Sequence, residues 1–503
     1  MVLHQDIRHA MVLGLGDSGL AMARWCARMG WEVTVVDNRA APPRLSQLQA
    51  DVPTAQFVSG DFHADLLDAT QADAVFKSPG LTPAQVDSLW GEARRRGLWC
   101  GTELSLFAHA LQSLAEQRDH RPHVLAITGT NGKTTVTSLT AALLERSGLD
   151  VAVAGNIGPT LLDTLTQRLQ GTLPQAWVLE LSSFQLNDTE GFEPTAATVL
   201  NLTQDHLDWH GDMASYGAAK GRVFGTRSLR VLRRDDASVG AWLVQPNSAP
   251  RRQENQSDAP LCITFGPDLP QRPGDYGLEE VNGMTWLVRA LPADETLKRK
   301  KGEEEDLFLQ RLMPADALRI RGRHNALNAL AALALAASTG ASLAPMLYGL
   351  REYAGEPHRV ESVAIIGDIE YVDDSKGTNV GATVAAIEGL GRERHLWLIL
   401  GGDGKGQDFS PLAEPVSRHV SGVALIGRDA PTLASVLADC GVRLHRSDDL
   451  PAAVHWCREQ AKAGDAVLLS PACASFDMFE HYAHRADVFV QAVREIATSE
   501  GVA

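Results

Sequence analysis

The sequence is poor in the features of secreted, membrane and nucleic-acid proteins. Its six cysteines, Cys26, Cys100, Cys262, Cys440, Cys457 and Cys473, are scattered without paired spacing. Neither a disulfide framework nor a zinc site is expected, and a reducing cytoplasm is the expected compartment. Basic residues are outnumbered, 46 Lys and Arg against 62 Asp and Glu, for a net charge of −16. That balance argues against a nucleic-acid partner, which selects a basic face. It still allows an anionic substrate held by a local Lys/Arg cluster. No signal peptide is read at the start, because the apolar run Ala10–Leu15 is short and carries glycines. One uncharged stretch, Ala326–Leu350, has the length of a membrane span. It is alanine-rich and interrupted by Asn328, Ser338-Thr339-Gly340 and Pro345. Two packed helices joined by a turn are expected there, without membrane insertion.

A chain of 503 residues implies about three domains, and three α/β blocks emerge. Residues 1–118 open with a strand (Ala10–Leu13), a glycine turn, a helix (Gly19–Met29) and a strand ending at Asp37, the start of a Rossmann-like doubly wound sheet. Residues 119–353 hold the buried-strand runs Val124–Ile127, Ala176–Leu181 and Ala197–Leu202, which predict a mainly parallel sheet. Within this block, 244–260 (Gln, Asn, Pro, Ser and Arg) and 294–306 (almost all charged) read as solvated loops. Residues 354–503 carry strand-like runs at Leu396–Leu400, Gly422–Ile426 and Ala466–Leu469, a second Rossmann-like unit.

The most informative stretch is Gly129-Thr130-Asn131-Gly132-Lys133-Thr134-Thr135. A buried strand precedes it and a helical run, Val136–Leu144, follows. Glycines let the backbone wrap an anion, and the amides at the helix start face phosphate oxygens. Lys133 is placed to reach β/γ-phosphates and the Thr134 hydroxyl to hold Mg²⁺. Ile127 stands where the general pattern has its first glycine, and Gly129 appears instead. A nucleoside triphosphate is the expected ligand.

Gly14-Leu15-Gly16-Asp17-Ser18-Gly19, with Asp37 ending the next strand, fits the dinucleotide fingerprint. Such a turn recognises a pyrophosphate whatever is attached, so NAD and other nucleotide diphosphates both stay open. Glu180, at a strand's carboxyl end, suits either a Mg²⁺ ligand or a helix-capping acid. His206 sits between Asp205 and Asp208 after another strand, a candidate functional cluster. Lys220 by itself reads as a surface lysine. Gly401-Gly402-Asp403-Gly404-Lys405-Gly406 lacks the Ser or Thr that follows a P-loop lysine and reads as a carboxylate or phosphate clamp. Cys473, in Ser470–Asp477, has no identifiable activating base and is a weak nucleophile candidate.

The phosphate loop, Gly155-Asn156-Ile157-Gly158, Glu180-Leu181-Ser182-Ser183, His206, Lys220, His324-Asn325, His358-Arg359 and Asp374-Ser375-Lys376 together resemble the Mur ligases, over essentially the whole chain. The Gly401–Gly406 turn and Ser470–Asp477 are similar to the glutamate-adding branch of that family. The Asp-Asn-Pro-Arg signature of the diaminopimelate-adding branch is missing. The resemblance implies an ATP-dependent ligation of D-glutamate to UDP-N-acetylmuramoyl-L-alanine through an acyl phosphate, by a monomer with two Mg²⁺ ions. It implies that Gly129–Thr135, Asn325, Asn328, Arg359 and Asp374 contact ATP. Thr134, Glu180, His206 and a carbamylated Lys220 hold the metals, and Lys376 lies near the transferred phosphate. His206 is alternatively the group that positions or deprotonates the amine. Gly14, Gly16, Asp17, Ser18, Asp37, Asn38, Arg39, Ser78, Pro79, Gly80, Asn156 and His206 contact the UDP substrate. Thr378, Lys405, Ser475, Phe476 and Tyr482 contact D-glutamate. Asp17 and Asn38 stand where the family commonly has a small apolar residue and Thr, and Phe476 and Tyr482 where it has Leu and Phe. Another family member with a different amino acid is one alternative. A folylpolyglutamate synthase lacks a UDP-binding first domain, an NAD-dependent oxidoreductase leaves the Lys133 loop unused, and a non-catalytic regulator leaves Glu180, His206 and Lys220 unexplained.

Overall fold

The computed structural model describes residues 7–240, 262–293 and 306–501. Stretch 244–260 and all but Asp306 of stretch 294–306 lie outside the described residues. The rest forms three sheets with helices on their faces.

The first sheet is fully parallel, in the order Gln56–Ser59, Glu32–Asp37, His9–Leu13, Ala74–Lys77, Trp99–Gly101. The strand order reverses beside His9–Leu13, and the crevice at such a switch point is where α/β sheets bind ligands. Gly14 and Ser78 sit there. The helix that follows is Asp17–Arg28, beginning two residues before the position read from sequence.

The central sheet has nine strands. Val151–Gly155, Ala176–Glu180, His123–Thr128, Ala196–Val199, Leu229–Arg233, Cys262–Phe265 and Tyr276–Val281 run parallel. Met284–Pro292 and Leu307–Pro314 continue it antiparallel. The inner strands are buried along their length, as two covered faces require. The outer ones, from Cys262 onward, escaped the sequence reading because their polarity is mixed and half their side chains reach solvent. The alanine-rich stretch forms two helices, Arg323–Ala337 and Leu343–Glu352, as expected. Its small side chains bring Arg323–Ala337 close against the helix Lys133–Arg146, so that the phosphate loop starts on a rigid base.

The third sheet runs Glu361–Ile366, Ile369–Asp373, Ala466–Leu469, Leu396–Gly401, Val420–Ile426, Arg443–Arg446, antiparallel only in its first pair.

Polar contacts join the three parts. Lys77, fully buried, pairs with Asp188 and lies 5.5 Å from the Trp90 ring and 5.7 Å from Trp209. Arg24 reaches Asp163 at 3.1 Å. Arg359 donates to the Thr134 hydroxyl at 2.6 Å, and the Asn131 and Asn379 amides bond reciprocally at 3.1 and 2.9 Å.

Glu103, the first residue of the helix Glu103–Arg118, is buried where the first and central parts meet. One oxygen accepts from Leu162 N at 3.0 Å and the other has no hydrogen-bond partner among the described residues. Burial raises its pKa to about 7. A carboxyl raised above its unfolded value favours folding below that value, and the advantage is lost as pH climbs through the folded pKa. Between about pH 5 and 7.5 the wild type is therefore expected to lose stability that Glu103→Gln keeps, by roughly 3 kcal/mol at most. Urea denaturation of both proteins across that range tests this, and parallel pH profiles would refute it.

Candidate active site

The carboxyl ends of three neighbouring central strands deliver the phosphate loop, Glu180 and Asn201 to one place. Asn201 pins the loop: its Oδ1 accepts from Asn131 N at 2.9 Å and its Nδ2 donates to Asn131 O at 3.0 Å. Gly132 adopts φ +83°, and a Cβ there would stand 2.8 Å from the Asn328 Oδ1. Only glycine lets Asn328 close over the loop. Asn328 Nδ2 in turn donates to Asn325 Oδ1 at 3.0 Å.

Lys133 opens the helix Lys133–Arg146 and curls back, donating to Gly129 O at 3.0 Å and Thr130 O at 2.9 Å. Lys220, from the helix Met213–Gly221, donates to the same Gly129 O at 2.9 Å and to Thr128 Oγ1 at 3.3 Å. Its side chain is buried, 4.7 Å from the Tyr216 ring, and no carboxylate lies within ion-pair distance among the described residues. Burial first, and Lys133 second, pull the Lys220 pKa well below that of a free lysine. Burial depresses Lys133 as well, against the pull of Glu180. Lys220 is thus a buried lysine with a depressed pKa and not the surface lysine its short helix suggests.

Glu180 is buried at the end of its strand. Oε1 accepts from Asn156 Nδ2 at 2.7 Å, while Oε2 has no partner among the described residues. His206, at φ +54°, lies 3.6 Å from Asp205 Oδ2 with its ring 4.7 Å from Phe184. Burial lowers its pKa and outweighs Asp205, with Lys133, Lys220 and Lys405 adding to the drop, so the imidazole is neutral near pH 7. An orphaned carboxylate oxygen and a neutral imidazole fit a divalent cation. The Lys220 amine fits one only after conversion to an anion.

The third part closes over this group. Burial raises Asp374 to about 7, and it accepts from Ser470 Oγ at 2.7 Å. Lys376 Nζ donates to the Tyr482 hydroxyl at 2.9 Å. His358 Nδ1 is hydrogen-bonded to Asp373 at 2.7 Å. Asp403 and Ala474 bond reciprocally through their backbones, which ties the glycine turn of Lys405 to the segment of Ser475. Gly402 permits this, since a Cβ there would meet Ala474 O at 2.3 Å. Phe476 is 69% exposed. Thr378 follows Lys376 on the same loop and is half-buried. Cys473 is buried and its thiol is pushed up by burial, the opposite of a nucleophile.

At the first sheet, Ser78 Oγ donates to Gly14 O at 2.8 Å. Asp37 accepts from Leu15 N at 2.7 Å and from Arg39 at 2.8–2.9 Å, so its oxygens are engaged within the protein. Arg44 Nε donates to Asp17 at 2.6 Å and neutralises the carboxylate beside Gly16 and Ser18. Asn38 and Gly80 are exposed, and Pro79 is half-buried.

A cleft of about 360 Å³ between the central and third parts joins the loop and His324 to residues the sequence did not single out: Arg233, Asp235, Asp236 and Phe265. Arg233–Asp236 resembles a solvated charge run, and Phe265 lies on an unrecognised strand.

The fold and site have known counterparts. Residues 8–90 match the Mur ligase MurD-like N-terminal domain, 127–252 the Mur ligase middle domain and 358–473 the Mur ligase glutamate ligase domain. The chain is 61% identical to the UDP-N-acetylmuramoylalanine–D-glutamate ligase of Albidiferax ferrireducens, over 99% of this chain and 98% of that one. It is 55% identical to the Burkholderia mallei enzyme of the same name, over 98% and 97%. Among solved structures it resembles the MurF ligase of Thermotoga maritima in complex with ADP, with TM-score 0.58 and 16% identity over 93% of this chain and 96% of that one.

Replacing Lys133 with Ala is expected to weaken ATP binding at least tenfold, through loss of a buried cation facing phosphate, while circular dichroism stays unchanged. Unaltered affinity in a titration would remove Lys133 from the phosphate site.

Proposed function

The chain belongs to the Mur ligase family, and from that membership we propose that it joins D-glutamate to UDP-N-acetylmuramoyl-L-alanine in the cytoplasm, using ATP and releasing ADP and phosphate, to build peptidoglycan precursor. The observation that carries this reading is the 61% identity, over 99% of the chain, to a ligase so named.

A carboxylate is a poor electrophile. In this reaction the γ-phosphoryl group of ATP moves to the alanine carboxylate, giving an acyl phosphate and ADP. The D-glutamate amine attacks the acyl carbon, loses a proton, and phosphate leaves as the amide forms. Residues 1–118 are assigned to the UDP end, 119–353 to ATP, and 354–503 to the amino acid. Gly14, Gly16, Ser18, Ser78, Pro79 and Gly80 face the diphosphate end, with Asn38, Arg39 and the Arg44-neutralised Asp17 at the rim and Asp37 bracing the loop. Asn156, bonded to Glu180, extends the same substrate toward the reacting carboxylate.

Lys133 leaves the carbonyls of its own loop for phosphate oxygens, and Thr130, Asn131 and Thr135 line the loop around them. Arg359, Asp374, Asn325 and Asn328 hold the remainder of ATP. Lys376, fixed by the Tyr482 hydroxyl, offsets charge on the transferred group. Lys405, Thr378 and Ser475 take the carboxylates of D-glutamate, with Phe476 at the mouth. Thr134, Glu180, His206 and a Lys220 carbamate are the groups suited to Mg²⁺, two ions in all, and bound Mg²⁺ supplies charge neutralisation between two anionic reactants. Burial favours the unprotonated Lys220 amine, which forms the carbamate by adding to CO₂ with release of one proton. His206, also neutral, is able to ligate or to accept the amine proton. The enzyme is read as a monomer.

Phosphate release with ATP, Mg²⁺ and UDP-N-acetylmuramoyl-L-alanine tests the assignment. Stimulation by D-glutamate, and not by L-glutamate or meso-diaminopimelate, is expected. Stimulation by another amino acid would overturn the specificity, and none by any would overturn the ligase reading.

A further inference from the structure

Lys77 ends the strand Ala74–Lys77, directly before Ser78, whose hydroxyl braces the first glycine turn at Gly14 O. Its side chain is 1% exposed and sits in a box that two parts of the chain build together. Trp90, on the helix Pro83–Arg95 of the first part, faces the ammonium at 5.5 Å. Trp209 faces it from the central part at 5.7 Å, and Asp188, also central, accepts its hydrogen bond. Burial works to raise the Asp188 pKa, yet the Lys77 charge wins and holds the carboxyl below its ordinary value.

Both central partners lead to the reacting end of the site. Asp188 follows the short helix Ser183–Asn187, which begins just after Glu180. Trp209 lies on the helix Leu207–His210, just after His206. The Phe184 ring joins the two segments, 4.7 Å from His206 and 5.0 Å from Trp209. Thr102 and Thr189 hydroxyls bond at 2.9 Å, and Glu190 N donates to Ser105 Oγ at 3.2 Å, holding the same central segment against the first part. One buried ammonium thus connects the strand end beside the first glycine turn to the segments that carry Glu180 and His206.

Such a pair is a poor source of stability. Taking both charges out of water offsets most of their attraction, and apolar side chains of similar volume pack as well or better. What the pair supplies is geometry. Its cost is met only where ammonium, carboxylate and both indole faces meet, whereas apolar side chains can slide. We propose that Lys77 is a positioning residue for the ligation: it fixes the first part on the central part so that a substrate anchored at Gly14–Gly19 and Ser78 brings its carboxylate to Glu180 and His206. The proposal rests on the assignment of the UDP end to the first part.

Calorimetric titration of UDP and of UDP-N-acetylmuramoyl-L-alanine into wild type and Lys77→Met/Asp188→Leu tests it. The paired substitution leaves no buried charge alone, so a melting temperature at or above that of wild type is expected. UDP needs only the first part and is expected to bind both proteins equally. The full substrate spans both parts and is expected to bind the variant at least about tenfold more weakly. ADP affinity is expected to be the same in the two. Asp188→Asn keeps the shape and an acceptor oxygen but weakens the pair, and is expected to give a smaller loss confined to the full substrate. Equal affinity of wild type and the paired variant for the full substrate, or a matching loss of UDP affinity, would overturn the proposal. Failure of wild type to bind UDP would instead remove the assignment on which the proposal rests.

Discussion

Two amines share one carbonyl: half-buried Lys133 and buried Lys220 both donate to Gly129 O, in a site where Glu180 supplies a carboxylate with only one oxygen engaged. Two ammonium groups cannot both stay charged in a dry cavity without anions to offset them. Burial pulls the Lys220 pKa well below that of a free lysine, and Lys133 rests on loop carbonyls that a phosphate readily replaces. The site is therefore incomplete as a protein alone. Triphosphate, divalent cation and an anionic form of Lys220 each remove part of the imbalance, and the three together fit the chemistry of carboxylate activation.

Around that pair the architecture repeats one device. Each of the three parts places a glycine turn at the carboxyl ends of parallel strands: Gly14–Gly19, Gly129–Gly132 and Gly401–Gly406. Such turns present backbone amides to anions. The proposed reaction has three anionic partners to match: a diphosphate-linked sugar, a triphosphate and an amino acid with two carboxylates. The contacts between parts are polar, as in Arg359 to Thr134 and Asn131 to Asn379. Polar joints of this kind suit parts that separate to admit substrate and come together for chemistry.

Much of the site was legible because its chemistry sits at strand ends with recognisable turn residues. The phosphate loop, Glu180 and the first βα turn could be read from residue type and order. Lys220 could not, since a lysine on a short helix looks solvated until the fold buries it against Tyr216. Phe476, 69% exposed, enters the glutamate set only through its place in a motif. The outer strands from Cys262 to Pro314 were missed because an edge with mixed polarity carries little periodic signal. Phe265, and with it one wall of the nucleotide cleft, was missed for the same reason.

The central claim is that the buried Lys220 is converted to an anion. The direct measurement is ¹³C NMR of the protein in ¹³C-labelled bicarbonate with Mg²⁺ and ADP. A carbamate resonance that vanishes in Lys220→Arg is the predicted result. Its absence from wild type, or its persistence in the variant, would contradict the account.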